Sequence, residues 1–157
     1  MGSQLEFVSN KGDLMILLRL GIAALAGSII GWNRFRAGKP AGIGTHALVA
    51  LGSALFVVAP VQMVAQDPGT VTRVIQGIAT GVGFLGAGEI FRDLKDPDHV
   101  HGLTSAAALW VTAALGVVAG CASIALVAAV TLLVVLIVIV SHHMEERCAP
   151  NRNNPLS

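Results

Sequence analysis

An all-α protein that crosses a membrane five times is the fold this sequence predicts, and two counts carry that prediction. The first is chemical. Of 157 residues, 54% are hydrophobic and only 12% charged, whereas soluble domains carry about a quarter charged residues. The second is length. A helix rising about 1.5 Å per residue needs roughly 20 apolar residues to cross a hydrocarbon core about 30 Å thick. The chain holds four such stretches, at 14–31, 47–65, 74–91 and 103–140. The last runs 38 residues without Asp, Glu, Lys, Arg or His, and as one helix it would reach about 57 Å. It is expected to fold back as a hairpin, with Gly116, Gly120 and Ser123 best suited to the turn. The spans then fall at about 14–31, 47–65, 74–91, 103–119 and 122–140, between a polar N-terminal segment 1–13 and a tail 141–157.

Composition also sets aside other classes. A net charge of +1 with no basic block leaves no phosphate-neutralising surface, so nucleic acid is not an expected partner. Two cysteines, Cys121 and Cys148, do not make a disulfide framework.

Orientation follows from the basic residues of the short loops. Arg34, Arg36 and Lys39 fall in the first loop, Arg92 and Lys95 in the third, and Arg147 and Arg152 in the tail; Lys11 and Arg73 fall on the other side. Five spans with the N-terminus outside place seven cations in the cytoplasm and two outside. A signal peptide is the rival reading of the first span, since Ala24-Leu25-Ala26 mimics a cleavage site. Arg19 inside the apolar run, and Glu6 and Asp13 before it, argue against cleavage.

Gly81-Val82-Gly83-Phe84-Leu85-Gly86 matches a dinucleotide-binding pattern, but that motif needs a preceding strand and a helix start, and here it sits inside an apolar span. Helix packing is the expected role of these glycines. Gly77 with Gly81, and Gly88 two turns on, share a face, and Gly27/Gly31 and Gly116/Gly120 repeat the spacing. Small residues let membrane helices approach closely. The third span is therefore expected at the centre of a tight bundle or of a dimer.

Sorted by depth, the polar residues form two groups. Arg19, Gln62, Arg73 and Gln76 fall towards the outer face. His46, Thr45, Glu89, Arg92, Thr104 and Ser105 fall towards the inner face, beside Arg34, Arg36, Lys39 and His101. Ionisable groups inside a membrane are costly and face the bundle interior, which makes them candidate site residues. Glu89 is read either as a site residue or as the ion-pair partner of Arg92 or a first-loop arginine. Arg19 is expected to capture backbone carbonyls or to reach Asp67. At mid-depth the chain offers only Ser53, Thr80, Thr112 and Thr131, a poor ligand set for a Mg²⁺ path, which prefers carboxylates.

Outside the spans, Asp93, Asp96, Asp98, His99 and His101 read as a solvated loop. His142, His143, Glu145, Glu146 and Cys148 read as a juxtamembrane stop, because no metal-ligand spacing appears. No metal site is assigned, no cofactor is expected, and no nucleophile has a base beside it, so an enzyme is not expected. Trp32 is read as an interfacial anchor and Trp110 as a buried span residue.

The strings GKPAGIGTHALVALGSALF (38–56), RVIQGIATGVGFLGAGEIFR (73–92) and HGLTSAAALWVTAALGVVAG (101–120) resemble the membrane domain of the MgtC/SapB family. Arg19-Leu20 and Gly31 resemble it too, and the likeness runs from about residue 14 to 140. The resemblance implies a multi-pass protein of the bacterial inner membrane, tied to magnesium homeostasis and acid stress. It implies regulation of ion homeostasis or membrane potential through a membrane partner such as the ATP synthase; the alternative is a small Mg²⁺ or other cation transporter formed by an oligomer. Lipid and a second copy of the chain are the other expected partners. Four departures stand out. Gly31-Trp32-Asn33-Arg34-Phe35 lacks the two acids of the family's Gly-x-Glu-Arg-Glu, with Asn33 and Phe35 in their places. Gly44 replaces an arginine, and Glu89 replaces a small or apolar residue. Many members also carry a cytosolic domain beyond this stretch.

Overall fold

The computed structural model describes residues 10–63, 68–92 and 100–148. Five helices account for nearly all of them: α1 (Asn10–Arg36), α2 (Ile43–Met63), α3 (Pro68–Glu89), α4 (Leu103–Cys121) and α5 (Ile124–Cys148). Between α3 and α4 lies a two-stranded ladder, β1 (Phe91–Arg92) and β2 (Val100–His101), pairing Phe91 with His101 and Arg92 with Val100. The ladder is an addition to the all-α expectation.

Local chemistry explains where the helices stop. α1 carries Asp13 in its first turn and Arg34 and Arg36 in its last, matching charge to the helix dipole at both ends. It ends in a Schellman motif. Gly38 takes φ +67, its N–H donates to the Phe35 carbonyl, and Lys39 N–H donates to that of Arg34; Pro40 then prevents continuation. α3 opens with Pro68, which lacks only an N–H that the first turn leaves unpaired anyway. Between α4 and α5 the break falls at Ala122 and Ser123. Ser123 caps α5, its Oγ accepting from Leu126 N–H at 3.3 Å. The sequence expectation is corrected here: Gly116 and Gly120 lie inside α4 and do not turn the chain.

α1, α2 and α4 form the centre, with α3 laid on α4 and α5 on α1. Their contacts are made by small residues. Ala23, Ala26, Ala50, Ala54 and Ala119 are buried with Ile30, Leu115 and Val127, and a smaller cluster of Ala41, Val82, Leu109 and Ala113 lies elsewhere in the bundle. Gly27 rests on the His46 carbonyl and Ala50, and Gly116 on the Ala50 carbonyl and Ser53. Ala50, fully buried, is thus pinched between two glycines of different helices.

The large side chains point outwards. Leu17, Leu25, Leu48, Phe56, Phe84, Leu132 and others are exposed, Phe84 by 81%. An apolar exterior around a small-residue interior is what lipid selects, because tight backbone contact rather than escape from water holds the helices together. Three helices are long and apolar enough to cross a membrane, at Gly12–Arg36, Leu103–Cys121 and Ile124–Ser141. The chain is an all-α membrane protein.

Candidate polar site at one end of the bundle

The end of α1, the starts of α2 and α4, and the end of α3 meet at one end of the bundle, and the buried polar side chains gather there. On α1 the buried positions are 23, 26, 27, 30, 31 and 34, a helical stripe of three- and four-residue steps. Arg34 therefore points inwards. It is 3% exposed, and its Nη2 donates to Ser105 Oγ at 2.8 Å. This corrects the sequence reading of Arg34 as a loop cation. The apolar run ends at Gly31, but the helix and its inward stripe continue one turn further.

His46 is fully buried. Its Nδ1 lies 3.0 Å from the Gly42 carbonyl, which can only accept, so Nδ1 carries the hydrogen and Nε2 the lone pair. The ring stands in the electrostatic field of both Arg34 and Glu89. Glu89, the last residue of α3, is half-buried. Its backbone carbonyl lies against Gly102, where φ is +88 and a Cβ would collide with that oxygen. The glycine thereby holds the end of α3 against the start of α4.

Of the inner-face candidates, the structure thus brings together Glu89, His46 and Ser105, with Arg34 added. Thr45, Thr104 and Arg92 are exposed and line no interior. His101 stacks on Phe91 at 5.4 Å.

The outer-face candidates do not assemble. Arg19 Nη1 donates to the carbonyls of Ala119 at 3.1 Å, Gly120 at 3.4 Å and Ala122 at 2.9 Å, saturating the end of α4, whose last carbonyls have no helical partner. Arg73 and Gln76 are exposed on α3, away from that contact. The side chain of Gln62, Asp67, the acidic loop residues Asp93, Asp96, Asp98 and His99, and the side chains of His142, His143, Glu145, Glu146 and Cys148 lie outside the described residues. Among the described residues, no three His, Cys, Asp or Glu groups could share a metal ion.

Two further expectations are corrected. Gly77, Gly81 and Gly88 meet nothing within 4 Å, so α3 is not the centre of this bundle; Gly86, against Ala106, is its contact glycine. Instead α3 and α2 flank an apolar cleft of about 690 Å³, lined by Leu48, Gly52, Phe56, Gly77, Gly81 and Leu85 among others. Trp110, read as buried, is 52% exposed, on the lipid-facing side of α4.

The chain belongs to the MgtC family, whose model matches residues 20–147. SrpB from Synechococcus elongatus is 47% identical over 121 residues, covering 71% of this chain and 66% of that protein. YhiD from Escherichia coli K12, whose name proposes magnesium transport, is 42% identical over 113 residues, 66% of this chain and 50% of its own length. MgtC from Brucella abortus is 42% identical over 115 residues, 73% and 46% respectively. The chain thus spans between about half and two thirds of these relatives. No solved structure matches it.

Proposed function

We propose that this chain is a non-enzymatic protein of the bacterial inner membrane that regulates magnesium- and acid-stress ion homeostasis, or the membrane potential, by binding another membrane protein. In this reading all five helices span the bilayer, the N-terminus is outside, and the Arg34–His46–Glu89–Ser105 end faces the cytoplasm. The membrane-embedded ATP synthase is the partner to which the family resemblance points.

One observation carries the partner reading: the glycine face of α3 is built for close helix contact, yet nothing in the chain occupies it. In lipid, a face of Gly77 and Gly81 beside an apolar cleft fits an apolar transmembrane helix of the partner. The alternative, a cation path formed between several chains, has less support. The hydroxyls at mid-depth are spent on their own helices: Thr112 donates to the Ala108 carbonyl at 2.8 Å, Thr131 to Val127 at 2.7 Å and Thr80 to Gln76 at 2.9 Å.

The test is photo-cross-linking in native membranes from a probe placed at position 81. A specific heteromeric adduct that Gly81→Leu competes away is expected. Recovery of neither a partner nor a second copy, from protein shown to be folded, would overturn the reading.

A further inference from the structure

Two hydrogen-bond acceptors are buried at the polar end of the bundle with no donor to serve them among the described residues: His46 Nε2 and Glu89 Oε2. Each is anomalous by itself, because buried polar atoms are nearly always paired and an unpaired one costs about 1–3 kcal/mol. Together they are informative. Both are lone-pair groups, they lie on helices that meet at the same end, and the His46 ring stands in the field of the Glu89 carboxylate. A single proton satisfies both atoms at once. It binds the Nε2 lone pair, and the resulting N–H donates to Oε2.

We propose that His46 and Glu89 form a proton-binding site. The proton comes from hydronium on the polar side of the bundle, which is left as water; the imidazole becomes imidazolium, and Glu89 stays a carboxylate and accepts the hydrogen bond. Glu89 is half-buried, so its carboxyl spans from the surface to the interior and marks the entry route. The imidazole cannot turn away, because Nδ1 is held by the Gly42 carbonyl. The charged groups around the ring are few. Arg34 of α1 opposes protonation and Glu89 of α3 favours it. α4 contributes the Ser105 hydroxyl, which is engaged by Arg34, and the described side chains of α5 are not titratable. Protonation thus converts two unpaired acceptors into a charged bond between α2 and α3, the two helices that flank the apolar cleft. The site stands whether or not the chain regulates a partner.

The experiment is a pH titration, from about pH 5 to 8, of ¹⁵N-histidine-labelled full chain in lipid nanodiscs. The His46 signal is assigned by its loss in His46→Gln. In the native chain His46 Nε2 is expected to take up a proton within this range. Glu89→Gln is expected to lower its proton affinity at least about tenfold, one pH unit, while Glu89→Asp restores most of it and Arg92→Gln, at an exposed neighbour, changes little. An equal midpoint in the native chain and Glu89→Gln overturns the proposal, as does an Nε2 that stays unprotonated throughout. Should Glu89→Gln fail to fold, the ¹³C signal of the Glu89 carboxyl in the native chain decides: it is expected to move with the His46 midpoint, and independent titration overturns the site.

Discussion

Arg34 Nη2 donates to Ser105 Oγ at 2.8 Å, joining the last turn of α1 to the first turn of α4 across 71 residues of chain. Both residues are almost fully buried, so the bond lies where water does not compete for it. Ser105→Ala leaves the guanidinium without this acceptor and is expected to cost about 1.5–3 kcal/mol, the range for hydrogen bonds to charged groups. Thermal unfolding in detergent measures it. A Ser105→Ala protein as stable as the native one would show that this bond does not hold the helices together.

The glycines separate into two classes with opposite expected responses. Gly116→Ala drives a methyl into the Ala50 carbonyl and is expected to destabilise by about 1–3 kcal/mol, as overpacking does. Gly81→Ala meets nothing within the chain and is expected to be neutral, or stabilising by up to about 1 kcal/mol from the gain in helix propensity. The same melting measurement applied to both variants checks the contrast.

Arg19 acts on the far end of α4. Arg19→Met keeps an apolar stem but removes the donor to three carbonyls. Faster amide exchange through residues 120–124 is expected, with the rest of the bundle unchanged. Uniformly faster exchange would instead assign Arg19 a global role.

Gly102 combines a positive φ with backbone contact to Glu89. Gly102→Ala is expected to cost more than about 1 kcal/mol for the left-handed conformation alone, and to separate α3 from α4. A probe pair across Gly86 and Ala106, in contact in the native chain, reads that separation directly.

Much of this architecture was legible in the sequence because lipid imposes simple lengths. The long uncharged run at 103–140 had to break, and it breaks at Ala122–Ser123, beside Ser123 as expected. What misled was the assumption that a glycine near the break makes it: Gly116 and Gly120 serve α2 instead, since a missing side chain is equally suited to a turn and to a close crossing. The same ambiguity hid the exposed face of α3. A small-residue stripe shows that something approaches closely, and nothing in the stripe says whether that neighbour is in the same chain. Arg34 was obscured by a different cause. Counting it with the loop charges ignored the inward stripe through Ala23, Ala26, Gly27, Ile30 and Gly31, which reaches residue 34 at the next helical step. The grouping of His46, Glu89 and Ser105 at one level was visible from depth alone, whereas their burial, against the exposure of Thr45, Thr104 and Arg92, required the rotation of each helix.

The most direct test of a regulator rather than a transporter is flux. Purified protein in proteoliposomes, shown to be folded by its melting transition, is assayed for Mg²⁺ and proton movement beside Glu89→Gln. The account predicts no flux above that of empty vesicles for either ion. Saturable flux in the native chain that disappears in Glu89→Gln would contradict it, and would make the polar end of the bundle the mouth of a transport path.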